Sequence, residues 1–165
     1  MLIKDKLSYR KKTLPVTLQK TDTVQKALDL MCEKNIGSIV IIDKDKKVLG
    51  IITERDMMRR VLYKNKEPKK TTVSEVMTTN LHSASEDDQL VDWLRMMSNE
   101  RFRHLPVVDK EGKLVNVLSQ GDFVAYTWPD LIEKAKDDLK KKIQRPYQMM
   151  LLILSILLIG YMYFK

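Results

Sequence analysis

Residues 16–57 read VTLQKTDTVQKALDLMCEKNIGSIVIIDKDKKVLGIITERDM, and residues 82–123 read HSASEDDQLVDWLRMMSNERFRHLPVVDKEGKLVNVLSQGDF. Laid over each other at an offset of 66, the two stretches match without a gap. Val24, Ala27, Leu28, Leu30 and Met31 fall on Leu90, Trp93, Leu94, Met96 and Met97. Ile39, Ile41, Ile42 and Asp43 fall on Leu105, Val107, Val108 and Asp109, and Ile51, Ile52, Thr53 and Asp56 on Val117, Leu118, Ser119 and Asp122. A match of this length means two copies of one structural unit.

The period of the apolar residues predicts the unit. Val16–Leu18 is a short strand. Asp22 or Thr23 caps a helix running to about Lys34, with apolar residues at 24, 27, 28 and 31. Ile39–Ile42 is continuously apolar and of strand length, which predicts a strand buried on both faces. Asp43–Lys47 is turn chemistry, and Val48–Ile52 closes a hairpin. Thr53 then opens a helix from Glu54 to about Tyr63, with Glu54 and Asp56 in its first turn. A unit of about 50 residues buries too little surface to stand alone, so the two copies are expected to pack sheet to sheet around one shared core. The predicted fold class is α/β (α+β), two strand–helix–strand–strand–helix units in a pseudo-twofold pair.

The repeats resemble two CBS domains in tandem, a Bateman module, over about residues 8–128. The resemblance rests on Gly50-Ile-Ile-Thr-Glu-Arg-Asp56 and Asn116-Val-Leu-Ser-Gln-Gly-Asp122, which match the family element Gly-apolar-x-[Ser/Thr]-x-x-Asp. Arg103-His-Leu-Pro-Val-Val-Asp109 and Val73-Ser-Glu-Val-Met-Thr78 support it. The domains are set at 8–66 and 74–128.

Chemistry on the residues alone leaves two readings of the motif. Thr53 and Ser119 stand where a strand hands over to a helix, whose free N–H groups suit an anion, and an Asp one turn on can accept both hydroxyls of a ribose. The same residues also serve as N-caps and dipole partners. The resemblance favours the first reading and implies an adenine nucleotide between the repeats. Carried over by position, one cleft holds Ser119 and Asp122, with Val117 beside the base, Arg103 and His104 toward phosphate, and backbone contacts from Thr17, Gly37 and Ser38. The other holds Ile51, Thr53 and Asp56, with Ser83 and Arg103 reaching across and Arg55, Arg59 or Arg60 compensating for the Gly37-Ser38 pair. Because the first repeat has Gly37-Ser38 where the second has Arg103-His104, the Ser119–Asp122 cleft is preferred for phosphorylated ligands. Asn116, in place of the motif glycine, alters backbone approach there. AMP, ADP, ATP and S-adenosylmethionine all fit these residues; no resident cofactor, metal or catalytic constellation is expected.

The end of the chain reads differently. Tyr147–Phe164, YQMMLLILSILLIGYMYF, has eighteen residues without a charge. As a helix it is about 27 Å long, close to the hydrocarbon core. Lys140, Lys141, Lys142 and Arg145 precede it, and Pro146 can begin a new helix. The expectation is a membrane helix over 147–164, a polar spacer helix over 130–145, and residues 1–145 on the cytoplasmic side. No apolar stretch opens the sequence, so no signal peptide is expected.

Lys and Arg total 30 against 22 Asp and Glu, a net charge of +8 in 165 residues. The excess sits in islands at 1–20, 59–70 and 134–145, around an acidic 71–133. Nucleic acid prefers one continuous basic face, so a nucleic-acid role for the Lys64–Lys70 linker and the N-terminal arm ranks behind the others. The leading expectation is a membrane-tethered, non-enzymatic sensor module that dimerises and signals to an unidentified effector protein; the alternative is a ligand-free scaffold. Cys32 is expected in the core and His82 in a strand. The methionines at 31, 57, 58, 96 and 97 are expected in the core or a subunit interface. Trp128 is expected to close the fold.

Overall fold

A computed structural model of the chain describes residues 2–5 and 14–163. It divides into two bodies, Met1–Phe123 and Val124–Lys165. In the first, β1 (Thr17–Gln19), α1 (Val24–Lys34), β2 (Ser38–Ile42) and β3 (Val48–Thr53) are followed by a single α-helical turn, α2 (Glu54–Asp56). That turn widens into a π-helix over Met57–Leu62. The second repeat has β4 (Ala84–Ser85), α3 (Leu90–Glu100), β5 (His104–Val108) and β6 (Leu114–Ser119), and then α4 (Gln120–Tyr163).

Each repeat builds one three-stranded sheet, β1-β2-β3 and β4-β5-β6. The first two strands of each are parallel, as a helical crossover requires, and the last two form an antiparallel hairpin. The registers correspond at the same offset: Ser38 pairs with Thr53, and His104 with Ser119. Ile39, Val40 and Ile41 are all buried, the two-faced burial that a continuous apolar run predicts. In the hairpin turns the Asp43 carboxylate accepts from the amides of Asp45 and Lys47, and Asp109 from those of Glu111 and Lys113. The left-handed position is Lys46 (φ 63°) in one turn and Gly112 (φ 79°) in the other. Thr23 caps α1 by accepting from the Lys26 amide at 3.2 Å.

Several expectations are corrected. The helix after Thr53 is not regular: beyond Asp56 it takes the wider π turn, with the Tyr63 amide donating to the Met58 carbonyl, and Met57 and Val61 face inward while Met58 stays exposed. The core around β1–β3 is closed by Val73 and Val76 of the connecting segment, not by the second sheet. The second repeat buries Leu90, Met97, Leu105, Leu118 and Phe123. Cys32 is exposed on α1, because the buried stripe is Val24, Ala27 and Met31 and position 32 turns away from it. His82 lies in a loop before β4, not in a strand.

The chain start also has a structural role that its charge hides. Ile3 is fully buried, its amide donating to the Asp88 carbonyl and that of Lys4 to the Glu86 carbonyl. Lys4 pairs with Asp87, which holds Leu2–Asp5 on the second repeat.

The second body is helical. α4 runs unbroken from Gln120 to Tyr163, passing Pro129 and Pro146, so the expected new start at Pro146 is absent. A proline costs a helix one amide donor, and the flanking turns carry the helix through. Trp128 is 60% exposed and closes nothing. Among the described residues, no helix is long and apolar enough to cross a membrane. The expected segment ends at Phe164, outside the described residues.

Candidate functional site

The two Thr/Ser-x-x-Asp motifs fold into the same local device. The Thr53 amide and hydroxyl donate to Asp56 Oδ2 at 3.0 and 2.7 Å, and the Asp56 amide donates back to Thr53 Oγ1 at 3.3 Å. Ser119 donates to Asp122 Oδ2 from its amide and its hydroxyl, both at 2.6 Å, and accepts from the Asp122 amide at 3.2 Å. Both are capping boxes, in which side chain and backbone satisfy each other's free groups. In both motifs the hydroxyl points its proton at the carboxylate of its own capping box.

The surroundings differ. The connecting segment returns alongside β3, where Ile51 and Thr78 exchange two backbone hydrogen bonds of 2.9 and 2.8 Å. Gly50 permits this approach, since a Cβ there would stand 2.9 Å from the Thr78 carbonyl oxygen and 2.8 Å from Met77 Sδ. The Thr78 hydroxyl donates to Asp56 Oδ1 at 3.2 Å, and Arg60 Nε stands 3.5 Å from the same oxygen. The other end of Arg60 donates to the Val76 and Met77 carbonyls at 2.9 and 2.7 Å. In the second copy Asn116 replaces the glycine, and its side chain accepts from the Val117 amide at 2.8 Å.

A cavity of about 550 Å³ opens beside Thr53 and Asp56. The first repeat contributes Gly37, Ile51, Thr53, Glu54, Arg55, Asp56, Arg59 and Arg60. The connecting segment adds Thr78, Asn80, Leu81 and His82, and the second repeat Glu100 through His104. Arg55 Nη1 donates to the Arg101 carbonyl at 3.3 Å, so the two repeats meet at its rim. His82 pairs with Glu100 and stacks on Phe102 at 5.1 Å between ring centroids. The walls thus combine an aromatic and aliphatic lining, which suits a heterocyclic base, with five arginines, which suit phosphate.

Of the expected residues, the cavity gathers Ile51, Thr53 and Asp56 with Arg103, His104 and Gly37, three that were expected mainly around Ser119 and Asp122. Val117, Ser119, Asp122, Thr17, Ser38 and Ser83 do not line it. His104 opens β5 opposite Ser119 and Arg103 precedes it, yet both residues line the cavity beside Thr53. Sequence reasoning passed over Thr78, Asn80, Leu81, Glu100, Arg101 and Phe102. The signal for Thr78 was Gly50, a glycine inside a strand that marks a close backbone neighbour. Arg101, at the left-handed end of α3 (φ 58°), carried no pattern signal.

Fold and sequence repeat together define a tandem pair of α/β units, and comparison with known proteins shows the family. The chain belongs to the CBS domain family, whose model matches residues 12–63 and 73–128. It is 29% identical over 126 residues to an uncharacterized protein of Methanopyrus kandleri, covering 76% of this chain and 64% of that one. The chain spans less than two thirds of the length of the curated relatives it matches. Among solved structures, it is similar to the CBS domain pair of protein MJ0100 in complex with 5′-methylthioadenosine and S-adenosyl-L-methionine, with 28% identity, a TM-score of 0.68, and coverage of 79% of this chain and 98% of that one. It is also similar to CBSX2 in complex with AMP, with 26% identity, a TM-score of 0.61, and coverage of 72% and 90%. CBS domains are regulatory modules, so the function of this pair is sought in what it binds.

Proposed function

We propose that this chain is a sensor module that binds an adenine nucleotide in the Thr53–Asp56 cavity and passes the bound state to a partner protein. The observation that carries the reading is the cavity itself, where arginines from both repeats surround a base-sized apolar wall beside a Thr-x-x-Asp turn. The ribose hydroxyls exchange for the Thr78 hydroxyl on Asp56. The phosphate takes the arginines, and the base lies against Ile51, Leu81 and Phe102. The bound adenosyl compounds of the two similar structures support this ligand class. A ligand gripped by both repeats favours one arrangement of the pair, and a partner that distinguishes arrangements reads the signal as a population shift. Dimerisation through a second copy of the chain belongs to the same reading.

Tethering to a membrane is part of the proposal. It rests on the uncharged run Tyr147–Phe164, preceded by Lys140–Lys142 and Arg145. It rests also on Met149, Met150, Leu151, Ile153, Leu154 and Ile156, consecutive turns of α4 that expose apolar side chains on all sides. Alkaline carbonate extraction of membranes from expressing cells tests it: the full chain stays with the pellet, whereas recovery in the supernatant rejects the tether.

Ligand binding is tested by thermal unfolding of the full chain in mild detergent with adenosine, AMP, ADP, ATP and S-adenosylmethionine. A ligand at 100 times its dissociation constant stabilises by about 2.7 kcal/mol, roughly 5–10 °C for a chain of this size. The shift is expected to vanish in Asp56→Asn and survive in Asp122→Asn. The reverse pattern moves the site to the Ser119 cleft, and no shift with any ligand rejects nucleotide sensing.

A further inference from the structure

The charge in the cavity exceeds what one phosphate requires. Arg55, Arg59 and Arg60 approach from the first repeat, Arg101 and Arg103 from the second. Three carboxylates share the lining, but two are engaged: Asp56 with Thr53, Thr78 and Arg60, and Glu100 with His82. Arg60 is held by two backbone carbonyls and Arg55 by one. Among the described residues, the guanidinium groups of Arg59, Arg101 and Arg103 make no hydrogen bond or ion pair. All three residues are exposed and line the cavity.

We infer that the cavity selects a nucleoside di- or triphosphate over a monophosphate, and that it disfavours the cationic sulfonium of S-adenosylmethionine. The inference rests on the nucleotide reading above. A guanidinium fork matches two phosphate oxygens, and forks carried on separate elements suit a chain of phosphates better than a single group. Three unengaged forks from two repeats need a chain of phosphates that spans them. The order of the ligand follows from the walls: the base sits by Phe102 and Leu81, and the terminal phosphates lie between Arg59 of the first repeat and Arg101 and Arg103 of the second. A sulfonium ligand brings positive charge into the same space and leaves all three forks unpaired. In this respect the chain departs from the similar pair that binds S-adenosyl-L-methionine.

Calorimetric titration of the full chain in detergent with AMP, ADP, ATP, S-adenosylmethionine and inorganic triphosphate tests the inference. Charge-assisted contacts of this kind are each worth about tenfold in affinity. ATP is therefore expected to bind at least tenfold more tightly than AMP, and S-adenosylmethionine at least tenfold more weakly than AMP. Inorganic triphosphate should displace ATP. Arg101→Gln combined with Arg103→Gln should bring ATP to within about threefold of AMP, and the exposure of both side chains predicts an unaltered melting temperature without ligand. Arg95→Gln, a charge on α3 that does not line the cavity, should change nothing. Equal affinity for AMP and ATP, or S-adenosylmethionine binding as tightly as ATP, overturns the inference and leaves the nucleotide reading standing. Absence of binding by every adenine compound overturns both.

Discussion

Replacing Gly50 by alanine should damage the protein in a way that its exposed glycines do not match. The added methyl would stand 2.9 Å from the Thr78 carbonyl oxygen and 2.8 Å from Met77 Sδ. The sulfur can swing aside; the carbonyl cannot, because Thr78 is tied to Ile51 by two backbone hydrogen bonds. Relief requires the connecting segment to move away from β3, which loses or stretches both bonds, each worth about 0.5–1.5 kcal/mol. Overpacking gives a similar figure by another route, about 1–3 kcal/mol. A loss of about 2 kcal/mol lowers the melting temperature by roughly 4–8 °C in a chain of this length. The displacement also withdraws the Thr78 hydroxyl from Asp56 and moves Arg60, whose guanidinium holds the Val76 and Met77 carbonyls. Ligand affinity should therefore fall with stability. Gly121→Ala is the internal control: the nearest atom to its Cβ is Ser119 Oγ at 3.7 Å, in the first turn of a helix. Alanine is favoured there by up to about 1 kcal/mol. Urea denaturation of the full chain, followed by circular dichroism, measures both. A Gly50→Ala protein as stable as the parent would refute the account of the connecting segment as fixed against β3.

Other expectations follow from the same contacts. Asp56→Asn keeps the volume but removes the charge that Arg60 and two hydroxyls share, and should cost about 1–3 kcal/mol in urea denaturation; a loss under 0.5 kcal/mol would show that the carboxylate is held for ligand alone. Trp93→Phe removes the indole donor to Asp88 Oδ2 at 2.9 Å and should destabilise by about 1 kcal/mol. The Lys4–Asp87 clasp should respond to pH at both ends. The hydrogen bond and charge of Lys4 hold the Asp87 carboxyl below its usual 3.8, so its contribution is present above that pH and is lost as pH falls through the lowered folded value. The hydrogen bond and charge of Asp87 raise Lys4 above its usual 10.5, so its contribution is present below that pH and is lost as pH rises through the raised value. Exchange protection of the Ile3 and Lys4 amides, corrected for intrinsic rates, should be flat between those limits and fall below pH 3.8; protection unchanged at pH 3 would remove the clasp from the account.

The repeat and its strand order were legible because burial imposes a period on local sequence: Ile39–Ile42 and Leu105–Val108 could only be inner strands. The caps at Thr53 and Ser119 were legible for the same reason, since a hydroxyl three residues before an acid satisfies the orphan amides of its own helix. The site was less legible. Arg101, Phe102 and Leu81 are distant in sequence from Thr53 and share no spacing with it. Their convergence depends on how the connecting segment docks on β3, and the one trace of that docking in the sequence is Gly50. Cations counted along each copy favour the Ser119 cleft, whereas the cavity beside Thr53 collects cations from both copies.

What sequence order dictated, then, is everything that lies within one turn or one strand of its cause: the two copies, their elements, the capping boxes and the uncharged run at 147–164. Three-dimensional packing chose which faces of those elements meet. It placed Arg103 and His104 beside Thr53, carried Arg60 onto the carbonyls of Val76 and Met77 through a π-helical turn, and anchored Ile3 on the second repeat. Those outcomes hang on long-range contacts, whose geometry is the sum of many small packing preferences and leaves no periodic mark on the residues that end up together.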